Sequence, residues 1–171
     1  PLTPVSPYGV TKLAAENLAF AYWQETGIPV SVLRYFSVYG PGQRPDMAYR
    51  KFITRALQGL PVTLLGSGKQ SRTNTFITDC VAATIAALEL ATPGEVYNIS
   101  GSEQRTISEA LEIIEDLVGK PLNIERKDSA RGDQFETRGD STRARSTLGL
   151  TDSVTLETGL EREVQWLQSL R

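Results

Sequence analysis

Tyr8 and Lys12 stand four residues apart, at the start of a stretch whose composition predicts a helix. At that spacing two side chains share one helix face. A phenol beside an ammonium is a proton-transfer pair: the positive charge favours the phenolate, and a phenolate can take a proton from an alcohol. Alone, the spacing is weak. A chain with 6 Tyr and 5 Lys can place two of them four apart by chance, and an exposed helix pair then has no chemistry.

The surrounding residues must therefore position the pair. Pro4 and Pro7 cannot continue a helix backwards, and Ser6 can cap one. No proline interrupts Gly9 to Thr26, and Leu13, Ala14, Ala15, Glu16, Leu18 and Ala19 favour helix. Gly27 supplies a stop. Residues 29–36 then read as a buried strand, followed by a loop over 37–46 rich in Gly and Pro. A helix leading directly into a strand suits a layered α/β architecture, in which ligands sit at the carboxyl ends of the strands.

Further along, Asp46 is expected to cap a helix to about Leu57, and Gly59 to end it. Residues 62–65 read as a strand. The turn Gly66-Ser67-Gly68-Lys69 is expected to close a hairpin onto residues 72–77. Asp79 is expected to cap a helix to about Ala91, and Val96 to Ile99 to form a strand. Thr106 and Glu109 form a capping pattern for a helix to about Val118. A strand over 122–126, a polar surface loop over 127–140, a short helix over 141–148 and a last helix over 156–170 complete the reading. In that last helix Leu160, Val164 and Leu167 face inward.

Five ordered motifs carry a resemblance. The string Ser6-Pro7-Tyr8-Gly9-Val10-Thr11-Lys12 with Leu13 to Glu16 resembles the active-site helix of the extended short-chain dehydrogenase/reductase family. The stretch from Leu33 to Met47 resembles the matching loop of nucleotide-sugar epimerases, nearest to bacterial UDP-glucose and UDP-glucuronate 4-epimerases. Arg72 to Asp79 is similar to that family's Arg-x-x-x-(Phe/Tyr)-(Val/Ile)-x-Asp segment. Val96 to Ile99 is similar to its last sheet strand, and Arg131-Gly132-Asp133 to the Arg-x-Asp that closes over the nucleotide.

The resemblance implies roles. Tyr8 would be the catalytic base, and Lys12 would hold the nicotinamide ribose of NAD. Tyr35, Ser37 and Val38 would lie by the nicotinamide. Ser37 stands where many members carry Asn or Thr, and its hydroxyl can still bond the sugar or diphosphate. Ser37, Arg44, Arg72, Arg131 and Asp133 would bind substrate, with Arg72 and Arg131 on the diphosphate and Asp133 on a ribose hydroxyl. Without the resemblance the arginines read as ordinary surface residues, Asp79 as a cap and Cys80 as a small core residue.

The implied fold is α/β, the carboxyl-terminal part of a Rossmann-like doubly wound sheet plus a small α/β substrate-binding subdomain. Residues 1–36 would be the last Rossmann helix–strand unit, and 37–171 the substrate-binding subdomain, with 95–118 returning to the Rossmann sheet. The chain opens at Pro1, its only Met is Met47, and it has no Gly-x-x-Gly-x-x-Gly after a strand; it reads as a fragment, inactive alone. The implied parent is an NAD-dependent epimerase of a UDP-sugar, a homodimer joined in part through the Tyr8 helix. Phe20, Tyr22 and Trp23 crowd that helix, although packing on the sheet would also account for them. A 4,6-dehydratase and a non-catalytic nucleotide-binding module are the alternatives.

Composition bounds the partners. A net charge of −2 argues against nucleic acid, while 13 arginines among 18 basic residues suit anionic ligands. The single Cys80 suits a reducing cytoplasm, and no apolar run is long enough to span a membrane. There is no His, which excludes Ser-His and Cys-His nucleophilic machinery, and no metal-ligand cluster is visible.

Overall fold

The computed structural model describes residues 2–129, 134–151 and 153–170. In chain order the elements are α1 (Pro7–Thr26), β1 (Val32–Tyr35), β2 (Val38–Tyr39), α2 (Ala48–Gln58), β3 (Val62–Leu65), β4 (Ser71–Thr73), β5 (Thr75–Phe76), α3 (Ile77–Leu90), β6 (Val96–Ile99), β7 (Gln104–Thr106), α4 (Ile107–Val118), β8 (Ile124–Lys127), β9 (Glu136–Thr137), α5 (Thr142–Leu148) and α6 (Leu156–Ser169).

Parallel pairing dominates. β1 lies beside β6, β2 beside β5 and β3 beside β8, all parallel; β4 lies between β7 (antiparallel) and β9 (parallel). Parallel neighbours need long crossovers, and the helices supply them. The main core fills the space between α2, α4 and α6, with Ile53, Ile114 and Leu160 fully buried and Tyr39, Tyr49 and Phe76 closing it from the β2 side. A second core packs α3 and α5 on β6 through Ala83, Tyr97, Ile99, Ala144 and Leu148.

Several helix ends follow the local chemistry. Ser6 caps α1, and Gly27, Gly59 and Gly119 end α1, α2 and α4 in the left-handed conformation. Thr106 and Glu109 form the reciprocal capping box at α4.

Four local expectations are corrected. Residues 66–69 do not close a hairpin, because β3 pairs with the distant β8 and β4 with β7 and β9. Asp46 caps nothing: α2 starts after Met47, and the Asp46 carboxylate is taken by Arg44 at 3.1 Å. Asp79 lies inside α3 and accepts from the Val154 backbone N–H at 2.9 Å, tying α3 to the segment before α6. The strand expected over 29–36 is β1 alone and is only half-buried, since β6 is its one strand partner among the described residues.

Candidate functional site

The amino end of α1 presents Tyr8 and Lys12. The Gly9 N–H donates to Ser6 Oγ at 3.1 Å and Pro7 opens the helix, so Tyr8 falls in its first turn. Gly9 is tightly placed: a Cβ there would stand 3.0 Å from Pro4 Cβ. The Lys12 ammonium lies 5.5 Å from the centroid of the Tyr8 ring, and both side chains are exposed. The i, i+4 spacing thus brings the two together.

Glu16, one further turn along the same face, fixes α1 to β1. Arg34 Nε donates to Glu16 Oε1 at 2.8 Å and Nη2 to Oε2 at 2.6 Å. That bond holds the Glu16 carboxyl below its ordinary range. The next residue of β1 points the other way: the Tyr35 hydroxyl meets Thr84 Oγ1 of α3 at 2.7 Å. Successive strand side chains alternate faces, so α1 and α3 flank β1 on opposite sides. Trp23 packs within the chain, against Gly94, where a Cβ would come within 2.5 Å of its ring.

From the carboxyl end of β1 the chain runs through Ser37 into β2 and borders a cleft of about 430 Å³. Ser37, Val38, Tyr39 and Gln43 form one wall; Tyr49 and Phe52 of α2, Leu64 and Leu65 of β3, and Arg72 and Asn74 complete it. Lining groups are apolar with a few convergent polar ones, the usual make-up of a small-molecule site. Lys51 and Arg72 give it positive charge against the single carboxylate of Asp46. Arg72 sits in β4, where its Nη1 donates to the Ser71 carbonyl at 2.9 Å. Asn74 Nδ2 donates to the Tyr49 hydroxyl at 2.7 Å. Burial pushes the Tyr39 and Tyr49 phenols well above their ordinary range, so both stay protonated and neither can serve as a base.

The expected residues therefore fall into groups. Tyr8 and Lys12 stand together at the head of α1. Ser37, Val38 and Arg72 share the cleft. Tyr35 is engaged with α3. Arg44 is outside the cleft, exposed and ion-paired with Asp46. Arg131 and Asp133 lie outside the described residues. Gln43, Tyr49 and Asn74 were not expected. Their signal is the Gly-Pro loop for Gln43 and the segment beginning at Arg72 for Asn74; Tyr49 reads as plain helix core. Cys80 is half-buried, and desolvation raises its thiol, which leaves it unreactive. Among the described residues no cluster of His, Cys, Asp and Glu could hold a metal, and no helix is long and apolar enough to cross a membrane.

Comparison with known proteins bears on this geometry. The NAD dependent epimerase/dehydratase family profile matches residues 1–100. An uncharacterised UDP-glucose epimerase, YtcB, of Bacillus subtilis is 41% identical over 170 residues, covering 99% of this chain and 54% of that protein. The UDP-glucuronic acid 4-epimerase of Bacillus cereus, solved with UDP-glucuronic acid and NAD, superposes with a TM-score of 0.95 at 40% identity, over 100% of this chain and 55% of that one. The dTDP-glucose 4,6-dehydratase of Bacillus anthracis, solved with NAD, gives 0.91 at 33% identity, over 99% and 54%. The chain spans about half the length of the relatives it matches. Its mixed α/β fold is that of these Rossmann-like proteins, and the chain belongs to the NAD dependent epimerase/dehydratase family.

Proposed function

We propose that this chain supplies the proton-transfer helix and the nucleotide-sugar cleft of an NAD-dependent UDP-sugar 4-epimerase. One observation carries the reading. The helix bearing Tyr8 and Lys12 is locked to β1 by Glu16 and Arg34, and β1 leads through Ser37 and Val38 into the cleft with Arg72. A proton acceptor and an anion-binding cleft are thus held by one strand.

The residues present fit the nicotinamide end of NAD. The Tyr8 hydroxyl and Lys12 ammonium are exposed side by side, a donor set suited to ribose hydroxyls. The 171 residues carry no Gly-x-x-Gly-x-x-Gly after a strand for the pyrophosphate, so the fit extends to that end only. When bound, NAD supplies hydride acceptance and return at the sugar's C4.

Tyr8 takes the proton of the C4 hydroxyl as that hydride leaves, and returns it once the 4-keto sugar has presented its other face. Lys12 favours the phenolate form and holds ribose. Ser37 donates to the sugar or diphosphate. Arg72 binds the diphosphate, with Arg131 and Asp133 reserved for the diphosphate and ribose from their own segment. Residues 1–36 act as the helix–strand unit of the dinucleotide half, and 37–171 as the substrate-binding part, with 95–118 returning to the shared sheet. Exposed Val10, Leu18 and Tyr22 on α1 fit cover by a second copy in a homodimer. Unpaired Cys80 suits a reducing cytoplasm.

The likeness to a dTDP-glucose 4,6-dehydratase supports a second reading, in which the same Tyr8 serves dehydration. Product analysis separates the two. The full-length protein, given UDP-glucuronic acid or UDP-glucose and NAD, should yield the C4 epimer by proton NMR. A 4-keto-6-deoxy product would replace epimerase with dehydratase, and no turnover of either sugar would remove the proposal.

A further inference from the structure

Between β1 and β2 the chain passes through Phe36 and Ser37 to Val38, and three successive carbonyls on that path are held by other residues. Thr75 Oγ1 donates to the Phe36 carbonyl at 2.7 Å. The Thr75 backbone N–H donates to the Ser37 carbonyl at 3.2 Å. Gln43 Nε2 donates to the Val38 carbonyl at 3.1 Å. Thr75 and Gln43 thus fix the backbone on which the exposed Ser37 side chain stands at the cleft.

Packing does not account for the Thr75 hydroxyl. Thr75 is 1% exposed, and a valine of the same shape would fill the place with no polar group to satisfy. Strand pairing does not need it either: β5 pairs with β2 through backbone groups, with Val38 opposite Thr75. What the hydroxyl adds is reach. Its one proton goes to Phe36 at 2.7 Å and is shared more weakly with the Ile99 carbonyl at 3.2 Å. The Phe36 N–H donates to that same Ile99 carbonyl at 3.0 Å. Thr75 therefore ties the carboxyl ends of β1 and β6 to β5, which pairs with neither among the described residues.

Both donors are themselves held. Asn74, just before Thr75, donates from Nδ2 to the Tyr49 hydroxyl at 2.7 Å. Gly101 closes on the other side, since a Cβ there would stand 2.2 Å from the Asn74 carbonyl oxygen. Gln43 Oε1 accepts from the Arg50 backbone N–H at 3.1 Å, and the Gln43 carbonyl accepts from Arg50 Nη1 at 2.5 Å.

We propose that Thr75 and Gln43 are positioning residues for the transfer at C4, setting the Ser37–Val38 segment through its carbonyls. This rests on the reading that puts that segment beside the nicotinamide and the sugar. Placement matters there, because a displacement of about 1 Å can cost about a hundredfold in rate. Nucleotide affinity comes instead from Arg72 and the rest of the cleft, so rate and affinity should separate when the hydroxyl is lost.

The full-length enzyme tests this with UDP-glucuronic acid and UDP-glucose as substrates, UDP binding by calorimetry, and hydrogen exchange over residues 36–39 by mass spectrometry. Thr75→Val deletes the hydroxyl and keeps the shape. It should lower kcat at least about tenfold while UDP affinity stays within about threefold. Exchange over residues 36–39 should become at least about threefold faster. Thr75→Ser, which restores the hydroxyl, should return kcat and exchange to wild-type values. Gln43→Met, at a half-buried loop position, should also lower kcat and speed exchange, and it decides the matter if Thr75→Val fails to fold; unchanged values there contradict the proposal. Wild-type kcat in Thr75→Val, or Thr75→Ser as slow as Thr75→Val, overturns the proposal while the epimerase reading stands. A parallel fall of kcat and UDP affinity in Thr75→Val also overturns it, since the hydroxyl then supports the cleft as a whole. A wild type that turns over neither sugar overturns the epimerase reading and this proposal with it.

Discussion

Arg34 of β1 grips Glu16 of α1 with two parallel hydrogen bonds, of 2.8 and 2.6 Å, and this joins the Tyr8 helix to the strand that feeds the cleft. Both side chains are largely covered, so the pair is worth more than a surface ion pair, about 1–2 kcal/mol. The Glu16 carboxyl is held below its ordinary 4.5 by the Arg34 bond. Its contribution is therefore present above that value and lost as pH falls through the depressed one. Urea unfolding should find Glu16→Gln less stable than wild type at pH 7 and the difference shrinking below pH 4.5. A gap that is constant with pH would assign the effect to packing instead.

Glu163 has the opposite sign. Its folded-state value is raised from 4.5 to about 7 by burial. Between those values the folded state binds the extra proton, so stability is greatest below 4.5, falls as pH rises to about 7, and is flat above. Integrated over that window the loss is about 3 kcal/mol. Glu163→Gln should match wild type at pH 4.5 and exceed it by a few kcal/mol at pH 8 in denaturant unfolding. A variant less stable than wild type at pH 8 would mean that the ionised carboxylate is a net stabiliser.

Two glycines of the cleft loop make an internal control. At Gly40 (φ +125°) a Cβ would meet the Phe76 ring at 2.7 Å; at Gly42 (φ +86°) it would meet nothing within 4 Å. Gly42→Ala carries backbone strain alone, about 1 kcal/mol, whereas Gly40→Ala adds a clash with a buried ring and should cost about 3 kcal/mol or more. Equal losses in thermal unfolding would show that Phe76 can move aside.

Two of the three arginines expected on the substrate now separate. Arg72 lines the cleft, while Arg44 is outside it and paired with Asp46. In the full-length enzyme Arg72→Glu should raise the substrate KM about 100-fold, the scale of one lost charge-assisted contact of about 3 kcal/mol. Arg44→Glu should change it less than threefold. Equal effects would place the nucleotide across the loop rather than in the cleft.

Much of this was legible locally. The α1 boundaries follow from Ser6, Pro7 and Gly27, and the α4 start from Thr106 and Glu109, because caps act within a few residues. Tyr8 and Lys12 share a face by spacing alone. Strand pairing was not legible: β3 finds β8 some 60 residues away, and nothing in residues 66–69 declares that. Asp46 and Asp79 look like caps by type and position, but Arg44 and the Val154 N–H take them. Glu163 lies on the same α6 face as Leu160, Val164 and Leu167, so its spacing put it inside while its type argued against it. Gln43 escaped notice because its role depends on Arg50, seven residues on and in another element.

Tyr8 as the proton acceptor is the claim on which the rest depends, and Tyr8→Phe in the full-length enzyme tests it with the loss of one oxygen. General acid–base catalysis is worth about 10²–10⁴-fold, so single-turnover epimerisation should slow by at least about a hundredfold. UDP affinity, set in the cleft, should remain within about threefold of wild type, well under one lost contact. Turnover unchanged in Tyr8→Phe would contradict the assignment and leave the exposed Tyr8–Lys12 pair as a helix surface without chemistry.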